Sequence, residues 1–191
     1  MASAEAVARY LLHLAGQAEG ACPITHMQLQ KLMYYVQGWA LATHGKPLFA
    51  GRIEAWEHGP VVRALYPKFA DYKNKPIPEG QASAAVRLTD AERALIESVW
   101  TRYGQYSAPR LRAMTDAEAP WREARAGLPE GQRSDALVSE ESMRRYFVGL
   151  QQEHCRRIGI EPRALAQSIR HAREGRVTEL ELPRGRGRVA G

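Results

Sequence analysis

The strongest constraint on the fold is a stretch, residues 27–39, in which apolar residues recur at helical spacing. One face of this predicted helix carries Leu29, Leu32, Met33, Val36 and Ala40. Residues three and four apart lie on the same side of an α-helix, so the pattern predicts an amphipathic helix that buries one stripe. The preceding Thr25-His26-Met27-Gln28 has the form of a capping box, which predicts that the helix begins there.

A second block, residues 53–61, reads Ile-Glu-Ala-Trp-Glu-His-Gly-Pro-Val. Its first half is an extended-looking run, and Gly59 and Pro60 end that run. Glycine permits a sharp backbone turn, and proline fixes the φ angle that the first turn of a helix requires. We therefore predict a short strand or hairpin near residues 49–57, a tight turn, and a helix over residues 60–72.

Helical spacing also predicts helices on both sides of these blocks. They are expected at residues 7–18, 89–103, 107–114, from 120 onward, and 139–153. Residues 73–88 contain two prolines and no regular period, which is typical of a connector. The predicted fold is mainly α, a single helical domain over residues 1–153 with a basic C-terminal extension at 154–191.

The composition is that of one ordinary globular domain. The chain has 191 residues, of which 45% are hydrophobic and 25% charged. It contains no apolar run of the roughly 18 residues that a membrane helix needs, and its first residues lack the order of a signal peptide. We therefore expect a cytoplasmic protein without membrane contact. Cys22 and Cys155 are too few for a disulfide framework or a zinc site, so they are expected to be free thiols.

The net charge of +6 is concentrated at one end of the chain. Residues 156–191 contain nine arginines and four glutamates, a net charge of +5, which leaves +1 for everything before them. The pattern favours a helix at 162–174, a strand at 177–182 and a disordered Arg-Gly end. Three interpretations stay open: a solvated extension, a segment that folds onto an acidic partner with Arg170 and Arg173 as candidate contacts, or nucleic-acid contact.

Few residues suggest chemistry. His58 beside Glu57 and near Glu54 is compatible with acid-base catalysis, but a histidine in such a turn more often hydrogen-bonds a backbone carbonyl. A catalytic function needs a pocket where His58 and a carboxylate converge with room for substrate. The sequence contains no phosphate-binding loop and no paired metal-ligand spacing. We therefore expect neither an enzyme nor a protein with a metal ion or cofactor.

The residues of the two blocks divide into contact and framework candidates. Lys31, Tyr34 and Tyr35 fall off the apolar stripe, so they are expected to be exposed, either as partner contacts or as plain surface. The framework candidates are Leu29, Leu32, Trp39, Trp56, His58, Gly59, Pro60 and Trp121. Tryptophan is heavily buried on average, which favours a core role over a contact role for Trp39, Trp56 and Trp121.

The two blocks together resemble the Panacea antitoxin domain, found in phage-associated GepA-type proteins and in SocA-type proteolytic adaptors. The resemblance rests on residues 29–39 and 53–66 and covers roughly residues 5–150. A weaker third match lies at Leu111, Met114-Thr115 and Pro120-Trp121. The family commonly has histidine after that threonine, but Asp116 stands here, so no role of that histidine is carried over.

The resemblance implies a mostly helical antitoxin that neutralises a cognate protein toxin by direct contact. Some relatives instead act as adaptors that deliver the toxin to an ATP-dependent protease of the ClpXP type. The alternative from a different class is a DNA-binding transcriptional regulator that uses the basic tail. The resemblance says nothing specific about that tail.

Overall fold

The computed structural model of the protein describes residues 1–18, 23–129 and 131–157. The first compact unit of the chain is Met1–Gln151. The helices and strands, in chain order, are α1 (Ala4–Gln17), α2 (His26–His44), β1 (Ile53–Trp56), β2 (Gly59–Val62), α3 (Tyr66–Phe69), α4 (Asp90–Tyr103), α5 (Ala108–Ala117), α6 (Ala119–Arg125) and α7 (Glu140–Arg157). One-turn 3₁₀ segments occupy Ala70–Tyr72 and Glu79–Gln81. The predicted mainly α fold with a short hairpin is confirmed.

Helix α2 is the central element of the fold. It begins with the predicted capping box, in which the Gln28 amide donates to the Thr25 hydroxyl and the Thr25 amide donates to the Gln28 side chain. Gly45, with φ of 65°, ends it in the left-handed conformation that glycine adopts freely. The helices α1, α4 and α5 and the strand β2 all contact α2. Its side chains are therefore buried on nearly every face.

Helix α7 reaches the core through Phe147, whose ring is fully buried. The ring meets Tyr34, Tyr35 and Trp39 edge-on, with centroids 5.7, 6.1 and 5.4 Å away. Gly38 on α2 makes this approach possible, because a Cβ atom there would lie 2.2 Å from the Phe147 ring. The close packing of the ring on α2 thus depends on the absence of a side chain at residue 38.

The two strands form an antiparallel hairpin in which Trp56 lies opposite Gly59. The turn therefore has two central residues, Glu57 and His58. Gly59 has φ of 92°, a conformation that other residues rarely adopt. Residues 136–138 attach to the other edge of β1 through two backbone hydrogen bonds of 2.8 Å. The hairpin is thus held between α2 and a later segment of the chain.

The predicted helix over residues 60–72 is wrong. Pro60 belongs to β2, and helical structure returns only at Tyr66–Phe69 and the 3₁₀ turn that follows. Val61 and Val62 are β-branched and favour a strand. Side chains of α2 also hydrogen-bond to the backbone of β2. These tertiary contacts outweigh the local helix-start signal of Gly-Pro.

The other predicted helices are present, with shifted ends. The capping box at Thr89 begins α4 as expected, and α7 continues to Arg157, beyond the predicted end at residue 153. The predicted helix at 162–174 and strand at 177–182, with the disordered end, lie outside the described residues. The domain boundary between residues 153 and 154 stays a prediction.

Candidate partner-binding site

Lys31 joins α2 to the hairpin from inside the molecule. Its side chain is only 1% exposed, and its Nζ donates a 3.1 Å hydrogen bond to the carbonyl of Pro60. Burial lowers the pKa of Lys31 to about 7; the Asp116 carboxylate opposes this shift and the Arg112 guanidinium adds to it. A Cβ at Gly59 would lie 2.7 Å from this Nζ, and the φ of 92° also favours glycine there. Lys31 is therefore an internal clamp on the turn.

Tyr34 and Tyr35 join α2 to the junction between α5 and α6. Their hydroxyls donate hydrogen bonds of 2.8 and 2.9 Å to the two carboxylate oxygens of Glu118, which caps both of those helices. Burial raises the pKa of Glu118 to about 7, although the two hydroxyls act in the opposite direction. Burial and the nearby carboxylate also raise the pKa of each tyrosine above its ordinary value.

The predicted exposure of Lys31, Tyr34 and Tyr35 is therefore wrong. All three side chains are among the largest fully buried ones in the described residues. The apolar stripe of α2 faces only part of the surrounding core, and later helices cover the remaining faces. A signal was present in the sequence, because aromatic and apolar residues occupy every face of this helix, a pattern typical of a fully buried helix.

A cavity of about 940 Å³ opens beside the hairpin, and we call it the hairpin cleft. Its walls are the start of α2, the hairpin, the segment that follows β2, and residues 133–135. Met27 and Lys31 from the first sequence block and Trp56 and His58 from the second line the same cleft. Ligand sites are usually clefts of about 300–1,000 Å³, so the hairpin cleft is the candidate binding site.

Aromatic rings form one part of the cleft wall. The Tyr66 ring centroid lies 4.5 Å from that of Trp56 and 4.9 Å from that of His26. The Arg63 guanidinium lies 5.8 Å from the Trp56 centroid. Burial, with a contribution from Lys31, lowers the pKa of His26 to about 4, so its ring is neutral at pH 7. Tryptophan, tyrosine and arginine are the residues that dominate binding energy at protein interfaces.

Charged side chains form the rim of the cleft. Arg63 lies 3.9 Å from Glu54, which is itself buried. Lys73, Arg133 and Asp135 are exposed and have no ion pair within the part of the chain that the structure describes. Lys73 also has φ of 50°, a backbone conformation uncommon for a residue with a side chain.

The expected hydrogen bond from His58 to a backbone carbonyl is not formed within the described residues. The His58 side chain is 52% exposed at the tip of the turn, and its Nδ1 lies 3.8 Å from Glu57 Oε1. The histidine and a carboxylate thus meet at a cavity, as a catalytic function would require. Their separation exceeds the roughly 2.6–3.2 Å of a catalytic hydrogen bond, and both groups face solvent.

A smaller cavity of about 370 Å³ also borders the turn, and Glu57 lines both cavities. We call it the arginine pocket because Arg112, Arg122 and Arg125 line it. Asp116 accepts a 3.3 Å hydrogen bond from Arg112 through Oδ2. Its Oδ1 is buried and has no partner among the described residues.

The remaining framework candidates are either buried or half-buried. Leu29 and Leu32 are fully buried in α2. Trp39, Trp56 and Trp121 are half-buried; Trp39 donates its indole N–H to the Tyr103 hydroxyl, and Trp121 to the Trp56 carbonyl. Arg170 and Arg173 lie outside the described residues.

Two residues that stabilise the site, Glu118 and Arg125, were not predicted from the sequence. Both form hydrogen bonds with residues far away in the chain. Glu118 accepts from two tyrosines that lie more than eighty residues earlier. Arg125 is 3% exposed and donates to the Ala55, Pro129 and Gln132 carbonyls. Polar residues in short helices carry no periodic signal that would mark them as buried.

Residues 1–18, 23–129 and 131–157 contain neither a candidate metal site nor a candidate membrane-spanning helix. No group of three or more histidine, cysteine, aspartate or glutamate side chains is arranged to hold a metal ion. No helix in the same residues has the length and apolar content needed to cross a membrane.

Comparison with known proteins gives two matches. Residues 29–122 match the family described as "Antitoxin SocA-like, Panacea domain". The chain is also similar to Antitoxin SocA of Caulobacter vibrioides (strain NA1000 / CB15N), with 34% identity over 131 residues. That alignment covers 62% of this chain and 68% of the relative. No solved structure matches.

Proposed function

Because the chain belongs to the family of SocA-like antitoxins with a Panacea domain, we propose that it neutralises a cognate protein toxin by direct binding. Family membership supports an antitoxin role. The observation that carries the proposal is the 34% identity to Antitoxin SocA across 68% of that protein. We expect the toxin to be encoded beside this chain's own gene, and both proteins to act in the cytoplasm.

The geometry supports a binding function because the cleft walls are held in place before any partner arrives. Lys31 fixes the hairpin to α2, and Tyr34 and Tyr35 fix α2 to the α5–α6 junction through Glu118. A surface that is rigid before binding loses less conformational entropy when it meets a partner. Such a scaffold suits tight neutralisation of a toxin.

Co-expression with the adjacent gene tests the proposal. We expect the adjacent gene alone to arrest growth, and expression of this chain to restore it. Affinity purification of the full-length chain is expected to retain the product of that gene. If the adjacent gene is harmless by itself and its product is not retained, the antitoxin proposal fails.

Delivery of the bound toxin to a protease of the ClpXP type is a separate proposal. An adaptor shortens the lifetime of the toxin, whereas simple masking leaves that lifetime unchanged. The half-life of the adjacent gene product is therefore measured with and without this chain, in cells that have or lack the protease. Growth rescue with an unchanged half-life would support masking and contradict delivery.

A further inference from the structure

We infer that the surface around the Glu57–His58 turn docks an acidic segment of the cognate toxin. This inference rests on the proposed function and names the surface and chemistry that it uses. We call this surface the basic hairpin face, defined as the described residues that line the hairpin cleft and the arginine pocket. The two cavities share Glu57 of the turn.

Positive charge is concentrated on the basic hairpin face. Its lining residues include seven lysine and arginine side chains against four aspartate and glutamate side chains. Residues 1–157 as a whole contain twenty basic and seventeen acidic side chains, a net charge of +3. The formal excess on this face equals that entire net charge, although Lys31, which is buried and has a pKa of about 7, is only partly protonated at pH 7.

Three of the four acidic side chains of this face already have a positive or imidazole neighbour, whereas several basic ones do not. Glu54 lies 3.9 Å from Arg63, Glu57 lies 3.8 Å from His58, and Asp116 lies 3.3 Å from Arg112. In contrast, the exposed basic side chains without an ion pair among the described residues are Lys73, Arg122 and Arg133. Asp135 is the one carboxylate of this face that has no ion pair among the described residues. The charge available to a partner is therefore predominantly positive.

The face also offers apolar contact beside this charge. Trp56 and Tyr66 are half-buried in the hairpin cleft, and Leu128 at the arginine pocket is 37% exposed. Exposed large apolar side chains are uncommon in the described residues. Half-buried aromatic rings surrounded by arginine and lysine match a segment in which carboxylates alternate with apolar side chains.

Charge complementarity of this kind acts mainly on the rate of association. Attraction between a basic face and an acidic segment steers the encounter of the two molecules, and salt screens that attraction. We therefore expect association with the toxin to slow as ionic strength rises. Loss of the free basic side chains should both slow association and reduce this dependence on salt.

The first test uses a fluorescently labelled peptide in which aspartate alternates with leucine and tryptophan, and full-length protein. A matched peptide carries lysine in place of aspartate. The face variant is Lys73→Glu with Arg133→Glu, and the control variant is Lys46→Glu with Arg144→Glu. All four positions are exposed, and the control pair lies outside both cavities while carrying the same change in charge. Thermal unfolding of each variant checks that it folds.

We expect the acidic peptide to bind more tightly than the basic one, and the face variant to weaken that binding about tenfold, with a smaller salt dependence of the association rate. The control variant should change affinity by less than about twofold. Equal effects of the two variants, or no preference for the acidic peptide, would overturn the inference. Tighter binding of duplex DNA than of the acidic peptide to this face would also overturn the inference. That result would indicate a nucleic-acid site.

Growth rescue separates failure of this inference from failure of the proposed function. If the face variant rescues growth as fully as the wild type, the basic hairpin face is not the docking surface. The antitoxin proposal is unaffected by that result. A harmless adjacent gene would remove the antitoxin proposal, and the peptide measurement would still decide the chemistry of the face. Rescue by the wild type and the control variant, but not by the face variant, supports both.

Discussion

Each buried polar side chain of α2 has a hydrogen-bond partner. These hydrogen bonds offset the free-energy cost of removing the polar groups from water. His26 and Gln30 hydrogen-bond each other, Gln30 also accepts from the Val62 amide, and Gln37 holds the backbone of residues 48–49. A buried group that loses its partner costs about 1–3 kcal/mol. Single substitutions should therefore lower stability on every face of α2. In a surface helix, the solvent-facing side would tolerate such substitutions.

Gly38→Ala tests how closely α7 packs on α2. The new methyl group would lie 2.2 Å from the ring of Phe147, which is fully buried. We expect the free energy of unfolding to fall by about 1–3 kcal/mol, the usual cost of overpacking a core. Urea unfolding measures it.

Gly149→Ala is the matched control, because it makes the same change in a helix where a Cβ meets nothing within 4 Å. Alanine is favoured over glycine inside a helix by roughly 0.5–1 kcal/mol, so this variant should be more stable than the wild type. Equal effects of the two substitutions would contradict the close approach of Phe147 to residue 38.

Lys31→Met tests the buried amine through the pH dependence of stability. The pKa of Lys31 is about 7 in the folded chain and 10.5 is its ordinary value, so between these the unfolded chain binds a proton that the folded chain lacks. The free energy of unfolding should therefore rise with pH across this window, by up to about 1.4 kcal/mol per pH unit. The variant should lack this contribution when urea unfolding is measured from pH 7 upward.

Lys46→Met provides the comparison for that measurement, since Lys46 is exposed. Its pH profile should run parallel to that of the wild type. A Lys31→Met profile that also runs parallel to the wild type would mean that the Lys31 amine keeps its ordinary pKa in the folded chain.

At the scale of secondary-structure elements, Arg125 of α6 holds the hairpin and a loop together. It donates hydrogen bonds to the Ala55 carbonyl of β1 and to the Pro129 and Gln132 carbonyls. Arg125→Met removes all three bonds, and of the three acceptors the Pro129 carbonyl keeps the Gln132 amide as a donor, so we expect a loss of roughly 3 kcal/mol in unfolding free energy. Thermal or urea unfolding measures this loss.

Arg122→Met makes the same change one turn earlier on α6, where the side chain is exposed. Surface substitutions of this kind usually alter stability by less than about 0.5 kcal/mol. A similar loss in both variants would mean that Arg125 contributes no more than a surface arginine.

The sequence predicts those elements whose causes are local. The capping boxes at Thr25 and Thr89 place two helix starts correctly, because all the groups involved lie within four residues. Strand β2 is missed because Gly59-Pro60 is also a valid helix start, and only pairing with β1 and contacts from α2 decide between the two. Local patterns do not contain these long-range contacts.

The same limit applies to the candidate site. Periodicity identifies Leu29 and Leu32 as buried, but it assigns Tyr34 to the surface because the partner of Tyr34, Glu118, is 84 residues away. The hairpin cleft likewise combines residues 26–31 with residues 133–135, which no motif connects. Sequence patterns identify the two blocks; the fold determines that they line one cavity.

At the scale of the whole molecule, positive charge occurs in two places. One is the basic hairpin face, and the other is the segment from residue 158 onward, which has seven arginines, four glutamates and a net charge of +3. A partner that is acidic over a wide surface would be attracted to both. We propose that the tail adds contact specific to one toxin, with Arg170 and Arg173 as the contacting residues.

Reversal of Arg170 and Arg173 to glutamate in the full-length chain tests this contribution. If both side chains contact an acidic toxin surface, we expect the affinity for the adjacent gene product to fall about tenfold, because like charges then face each other. Arg184→Glu with Arg186→Glu changes the total charge equally at a different place. The two double variants are compared in the same binding titration and the same growth assay.

A loss confined to the Arg170 and Arg173 variant would support contact at those residues. Equal losses would mean that the toxin responds to the total charge of the tail and not to a docked segment. Unchanged toxin binding in both variants, together with loss of salt-dependent binding to duplex DNA, would contradict the proposed contact. It would favour the alternative in which the tail binds DNA and the basic hairpin face alone meets the toxin.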